Sequence, residues 1–85
     1  MGYKVTIEKR VLKEINALPK HDALRVSLAI NALAIEPRPH GCIKLEGNLE
    51  LYRIRKGDYR IVYSIRDNEL IVYIIKIDHR KDVYR

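Results

Sequence analysis

At 85 residues the chain holds one domain, and a composition 47% hydrophobic and 33% charged is that of a globular fold. No apolar run reaches the roughly 20 residues a membrane-spanning helix needs, and the N-terminus lacks the apolar stretch of an export signal. Seventeen Lys and Arg against eleven Asp and Glu leave a net charge of +6, which suits an anionic partner, either nucleic acid or an acidic protein.

Residues Tyr3 to Ile7 alternate and include β-branched types, which predicts a strand. A helix is expected from Glu8 to Leu18, with Val11, Leu12, Ile15 and Leu18 on its apolar face. Pro19 stops it, because proline has no N–H for the helical ladder. Asp22 is the expected N-cap of a second helix carrying Val26, Ala29, Ile30 and Leu33. That helix ends before Pro37 and Pro39, and the short link at Pro19 to His21 makes a helical hairpin. Gly41 to Asn48 reads as a loop carrying Ile43, Lys44 and Leu45. Three strand-like runs follow, LELYRIRK, YRIVYSIR and ELIVYIIKI, divided at Gly57-Asp58 and Asp67-Asn68. The predicted fold class is α+β in the order β-α-α-β-β-β, one domain over residues 1–85, with the helical hairpin on one face of a mainly antiparallel sheet.

Two-residue turns at both sites fix the register. Arg55 then faces Arg60, Arg53 faces Val62, Arg66 faces Glu69 and Arg60 faces Ile75. Side chains alternate along a strand. One face therefore collects Tyr52, Ile54, Ile61, Tyr63, Ile65, Leu70, Val72 and Ile74, and is expected against the helices. The other collects Arg53, Arg55 and Arg60 beside Val62, Ser64, Tyr73 and Ile75. Like charges directly opposite each other are destabilising. The Arg55–Arg60 pair therefore points to an anion site, against the alternative of a solvated basic face whose long side chains splay apart. The tail Asp78 to Arg85 adds further cations and Tyr84. Arg beside Tyr is the chemistry of single-stranded nucleic acid, with cations on phosphates and aromatic rings under bases.

Three stretches, taken in order, carry a family resemblance: Lys44-Leu45-Glu46-Gly47; Leu51-Tyr52-Arg53-Ile54-Arg55-Lys56-Gly57-Asp58-Tyr59-Arg60-Ile61-Val62-Tyr63; and His79-Arg80-Lys81-Asp82-Val83-Tyr84-Arg85. With the helical pair before them they resemble the RelE/ParE superfamily of type II toxins, RelE-like branch. The resemblance implies the microbial-ribonuclease-like RelE fold and a ribosome-dependent, metal-independent endoribonuclease that cuts messenger RNA in the decoding site. It implies Arg53, Arg55, Arg60, Arg80 and Tyr84 as catalytic residues, with Lys44, Lys56, His79 and Lys81 on the RNA. The expected partners are a RelB-like antitoxin, the ribosome and messenger RNA, with no cofactor and no membrane. Arg53 and Arg55 stand where the best-known RelE has lysines, and Arg is a poor general base. The chemistry implied is thus positioning and charge stabilisation, with Arg60 and Arg80 clamping the scissile phosphate and Tyr84 stacking on a base.

Other residues read as structural. Cys42 is the only cysteine, so no internal disulfide is possible, which agrees with a reducing cytoplasm; a partly buried thiol is expected. His21, His40 and His79 show no metal-ligand spacing. Tyr52, Tyr63 and Tyr73 are expected to pack. Two other functions fit a basic chain of this shape: a ParE-like inhibitor of DNA gyrase, and a nucleic-acid-binding module without catalysis.

Overall fold

A computed structural model describes residues 2–45, 47 and 50–79. Its elements are β1 (Lys4–Ile7), α1 (Lys9–Asn16), α2 (Lys20–Ala32), β2 (Ile43–Lys44), β3 (Leu51–Lys56), β4 (Tyr59–Arg66) and β5 (Ile71–His79). The sheet order is β1-β5-β4-β3-β2. β1 lies parallel to β5 and the other pairs are antiparallel. The α+β class and the helical hairpin on one sheet face are as the patterning predicts.

The core follows from the two periodicities. Val11 and Ile15 of α1 and Val26 and Ile30 of α2 are buried, joined by Leu33 just beyond. They meet Tyr52, Tyr59, Ile61, Tyr63, Ile65, Val72 and Ile74 of the sheet. Tyr52 and Tyr63 are cross-strand partners whose rings stack at 5.9 Å. The Tyr63 hydroxyl, fully buried, donates to the Pro37 carbonyl at 2.7 Å and ties the end of the helical hairpin to the middle of the sheet. Cys42 is a half-buried free thiol packed against this core, as expected.

Four local expectations need correction. Ile43 and Lys44 are not loop but a short edge strand, paired with Arg53 and Tyr52. Asp22 is not the N-cap: that position falls three residues earlier, at Pro19, and Asp22 in the first turn of α2 accepts a hydrogen bond from the Tyr59 hydroxyl at 3.0 Å. The Gly57-Asp58 turn is the two-residue turn expected, with Gly57 at a left-handed φ of 60°. The second hairpin instead closes on Arg66 and Ile71, leaving Asp67 to Leu70 as its loop. The Leu70 N–H donates to the Asp67 carbonyl, and Leu70, at φ 55°, is exposed rather than in the core. Glu69 still meets Arg66 at 3.7 Å, but across the loop instead of as a strand partner.

The fourth correction sets up the site. Tyr63 pairs with Ile74 but Val62 pairs with Lys76, so Ile75 is an extra residue in β5. Strict alternation from Ile74 would drive Lys76 into the core. The bulge puts Ile77 opposite Ile61 and packs it on the core, while Lys76 stays exposed. Together with the wider loop, which already shifts the pairing by two residues, it brings Asp78, not Ile75, opposite Arg60.

Candidate RNA-contacting site

The sheet face away from the helices is ordered in rows by the register. Arg55, Arg60 and Asp78 form one row; Ile43, Arg53, Val62 and Lys76 form the next; Leu51, Ser64 and Tyr73 lie further along. Three of the predicted site residues, Arg53, Arg55 and Arg60, therefore share one face on two adjacent strands. Opposed side chains in such a pair start about 5 Å apart.

Among the described residues, ion pairs hold several cations of the sheet and its flanks, but not these three arginines. Arg38 is held by Asp67 at 2.9 Å, Lys44 by Glu50 at 3.3 Å, Arg66 by Glu69 at 3.7 Å and Lys76 by Asp78 at 3.5 Å. Among the described residues no carboxylate closes within 4.0 Å on Arg53, Arg55 or Arg60. Asp78 faces Arg60 across the strands but spends its oxygen on Lys76. Arg53 and Arg60 are half-buried and Arg55 is exposed, so their forks remain available to an incoming anion. A guanidinium matches two phosphate oxygens at once, and several together favour the extra charge of a pentacoordinate phosphorus.

The other predicted residues that the structure describes, Lys44, Lys56 and His79, are dispersed. Lys56 and His79 both pair with or lie against Tyr59, on the helix-side face, where the His79 ring meets the Tyr59 ring edge-on at 4.8 Å. Lys44 sits on the β2 edge, engaged with Glu50. Arg80, Lys81 and Tyr84 lie outside the described residues.

Sequence reasoning missed a second polar system on the helix side. Arg38 donates through Nη1 and Nη2 to both oxygens of Asp67, at 3.1 and 2.9 Å, and through Nε to the Tyr52 hydroxyl at 3.1 Å. Its guanidinium also lies 5.0 Å from the Tyr52 ring centre. Tyr3 donates to Asp67 at 2.7 Å, and Tyr52 donates to Glu50 at 3.0 Å. The Arg38 and Tyr3 hydrogen bonds hold the Asp67 carboxyl down at about 2. This network clamps the β4–β5 loop onto the segment after α2. Only the Pro37-Arg38-Pro39 context marks Arg38 out in the sequence, and nothing local names its partner 29 residues away.

A small α+β domain with an open, arginine-bearing sheet face is the class that fold and site define. Residues 5–84 match the family model described as the ParE toxin of the type II toxin–antitoxin system parDE. The Toxin RelE of Mycobacterium tuberculosis is 36% identical over 85 residues, 98% of this chain and 87% of that protein. The RelE–RelB complex of Pyrococcus horikoshii superposes with a TM-score of 0.85 at 40% identity, covering 94% of this chain and 97% of that one. The isolated Escherichia coli RelE toxin superposes with a TM-score of 0.78 at 27% identity, covering 96% and 90%. The chain belongs to the RelE/ParE superfamily of toxins of toxin–antitoxin systems.

Proposed function

We propose that this toxin is a ribosome-dependent endoribonuclease that cuts messenger RNA in the decoding site. The observation that carries this reading is the set of three arginines on one open face, two of them directly opposed, with no carboxylate among the described residues closed on them. Stability alone would not set Arg55 directly opposite Arg60.

In the proposed reaction the 2′-oxygen attacks the adjacent phosphorus, the bond to the 5′-oxygen breaks, and a 2′,3′-cyclic phosphate and a 5′-hydroxyl result. The 2′-OH proton leaves to solvent and the departing 5′-oxygen takes one up. Arg60, with Arg80, holds the non-bridging oxygens and balances the charge that grows on them. Arg53 or Arg55 assists at the 2′-oxygen or the leaving oxygen. Tyr84 stacks on the neighbouring base; its role and that of Arg80 rest on the family resemblance. These arginines supply the positive charge that other nucleases take from a metal ion, and they are poor proton carriers. Free RNA is then a weak substrate, and the ribosome contributes by fixing the strand for in-line attack, an effect worth about 7–11 kcal/mol at best.

The cognate partner in this reading is a RelB-like antitoxin. The P. horikoshii relative is a RelE–RelB complex, and a +6 surface suits an acidic segment that folds as it wraps the toxin.

The test is primer extension on translating ribosomes treated with the purified protein. Cuts inside the aminoacyl-site codon support the reading. A second function, gyrase inhibition, is favoured by the ParE description of the family model. Loss of gyrase supercoiling with messages left intact would select it.

A further inference from the structure

We propose that the groove beyond the arginine rows is a nucleobase site, which receives the base of a nucleotide flanking the phosphate held at Arg60. The inference rests on the RNA-cleaving reading and adds a base-selecting element to it.

The groove has a volume of about 480 Å³, within the range of small-ligand sites. Its floor is apolar, made by Leu51, Tyr73 and Ile75, with Ser64 between them. Leu51 pairs with Ser64 and Ser64 with Tyr73, so this row lies on the same face as the arginines. Ser64 lies four positions along β4 from Arg60, about 13 Å, close enough for one RNA segment to span both. Ile75, next to the inward-facing Ile74, adds to the floor.

The chemistry of the groove favours a base over a phosphate. Tyr73 is half-buried and the Arg66 guanidinium carbon lies 5.4 Å from its ring centre. An aromatic ring and a guanidinium plane are both surfaces on which bases stack. The rim carries Glu8 and Glu50 as well as Arg66, so it lacks the unopposed positive charge that a phosphate site needs. Glu50 is fixed by Lys44 and by the Tyr52 hydroxyl, whereas Glu8 meets only Arg10, at 3.7 Å among the described residues. A carboxylate accepts hydrogen bonds and donates none; uracil offers its edge only N3–H, set between two carbonyls that repel a carboxylate, so the rim favours a base that presents an amino group: adenine, cytosine or guanine.

The experiment is ribosome-dependent cleavage of messages randomised across the aminoacyl-site codon and its neighbours, read by sequencing of the cut ends, with melting temperatures measured for every variant. The wild type is expected to disfavour uridine at one position. Tyr73→Leu should reduce cleavage by about 5- to 150-fold and flatten the preference at that position, and Tyr73→Phe should restore both. Glu8→Gln, an exposed change, replaces an acceptor-only carboxylate with an amide that also donates, and should raise cleavage at uridine relative to the other bases at that position. If Glu8→Gln and Tyr73→Phe fold but the former keeps the wild-type profile and the latter does not retain it, the base site is overturned. Wild-type profiles in both Tyr73→Leu and Glu8→Gln overturn it equally, and leave the nuclease reading standing. A wild-type toxin that cuts no ribosome-bound message removes that reading and the base site with it.

Discussion

Arg55 and Arg60 stand directly opposite each other on β3 and β4, and among the described residues neither is ion-paired. Opposed like charges cost a fraction of a kcal/mol to about 1 kcal/mol in an antiparallel pair. A site that sacrifices stability in this way should gain stability when the conflict is removed. Arg55→Glu is expected to stabilise the fold by about 0.2–1 kcal/mol, because it pairs with Arg60, and to lose cleavage. Denaturant melts beside the ribosome assay check both halves.

The Tyr63 hydroxyl tests the architecture independently of the site. Tyr63→Phe leaves the buried Pro37 carbonyl without its donor, at a cost of about 1–3 kcal/mol. Cleavage per folded molecule should be unchanged, since Tyr63 faces the helices. Urea unfolding at constant slope is the measurement.

Asp67 predicts an acid dependence. Its carboxyl is held at about 2, below its ordinary 3.8, by Arg38 and then Tyr3. A depressed carboxylate contributes stability that is fully present above its unfolded value and lost as pH falls through the folded one. The melting-temperature difference between wild type and Asp67→Asn should therefore be steady above pH ~5 and shrink towards pH ~2. A difference that does not change over that range would show that the ion pair stabilises nothing.

The antitoxin reading predicts a stabilised toxin. A partner that binds only the folded state adds RT ln(1 + [L]/Kd), about 2.7 kcal/mol at a hundredfold excess over Kd. For a domain of this size that raises the melting temperature by roughly 10–20 °C. A candidate antitoxin that gives no rise and leaves cleavage intact is not the cognate partner.

Local signals fixed some features and long-range ones fixed the rest. Gly57-Asp58 specified its turn outright, so the opposition of Arg55 and Arg60 and the placing of Arg53 opposite Val62 were legible. The second hairpin was not, because its Asp67 answers to Arg38, 29 residues away, and the loop widens to Leu70 around that pair. The bulge at Ile75 was hidden for a similar reason. Only the three-dimensional packing shows that alternation would bury Lys76 and that Ile77 fills the core instead. From there outward the faces of β5 differ from simple counting, which is why His79 lies beside Tyr59 and Asp78 faces Arg60.

The central claim is that the arginine face performs the cut, and Arg60 tests it most directly. Arg60→Ala removes a side chain that points away from the helices, so the melting temperature should hold close to that of the wild type. Single-turnover cleavage of ribosome-bound message should fall by about 10³-fold or more, the usual loss when a charge-stabilising arginine leaves a phosphoryl centre. A folded Arg60→Ala protein that cuts at the wild-type rate would contradict the account.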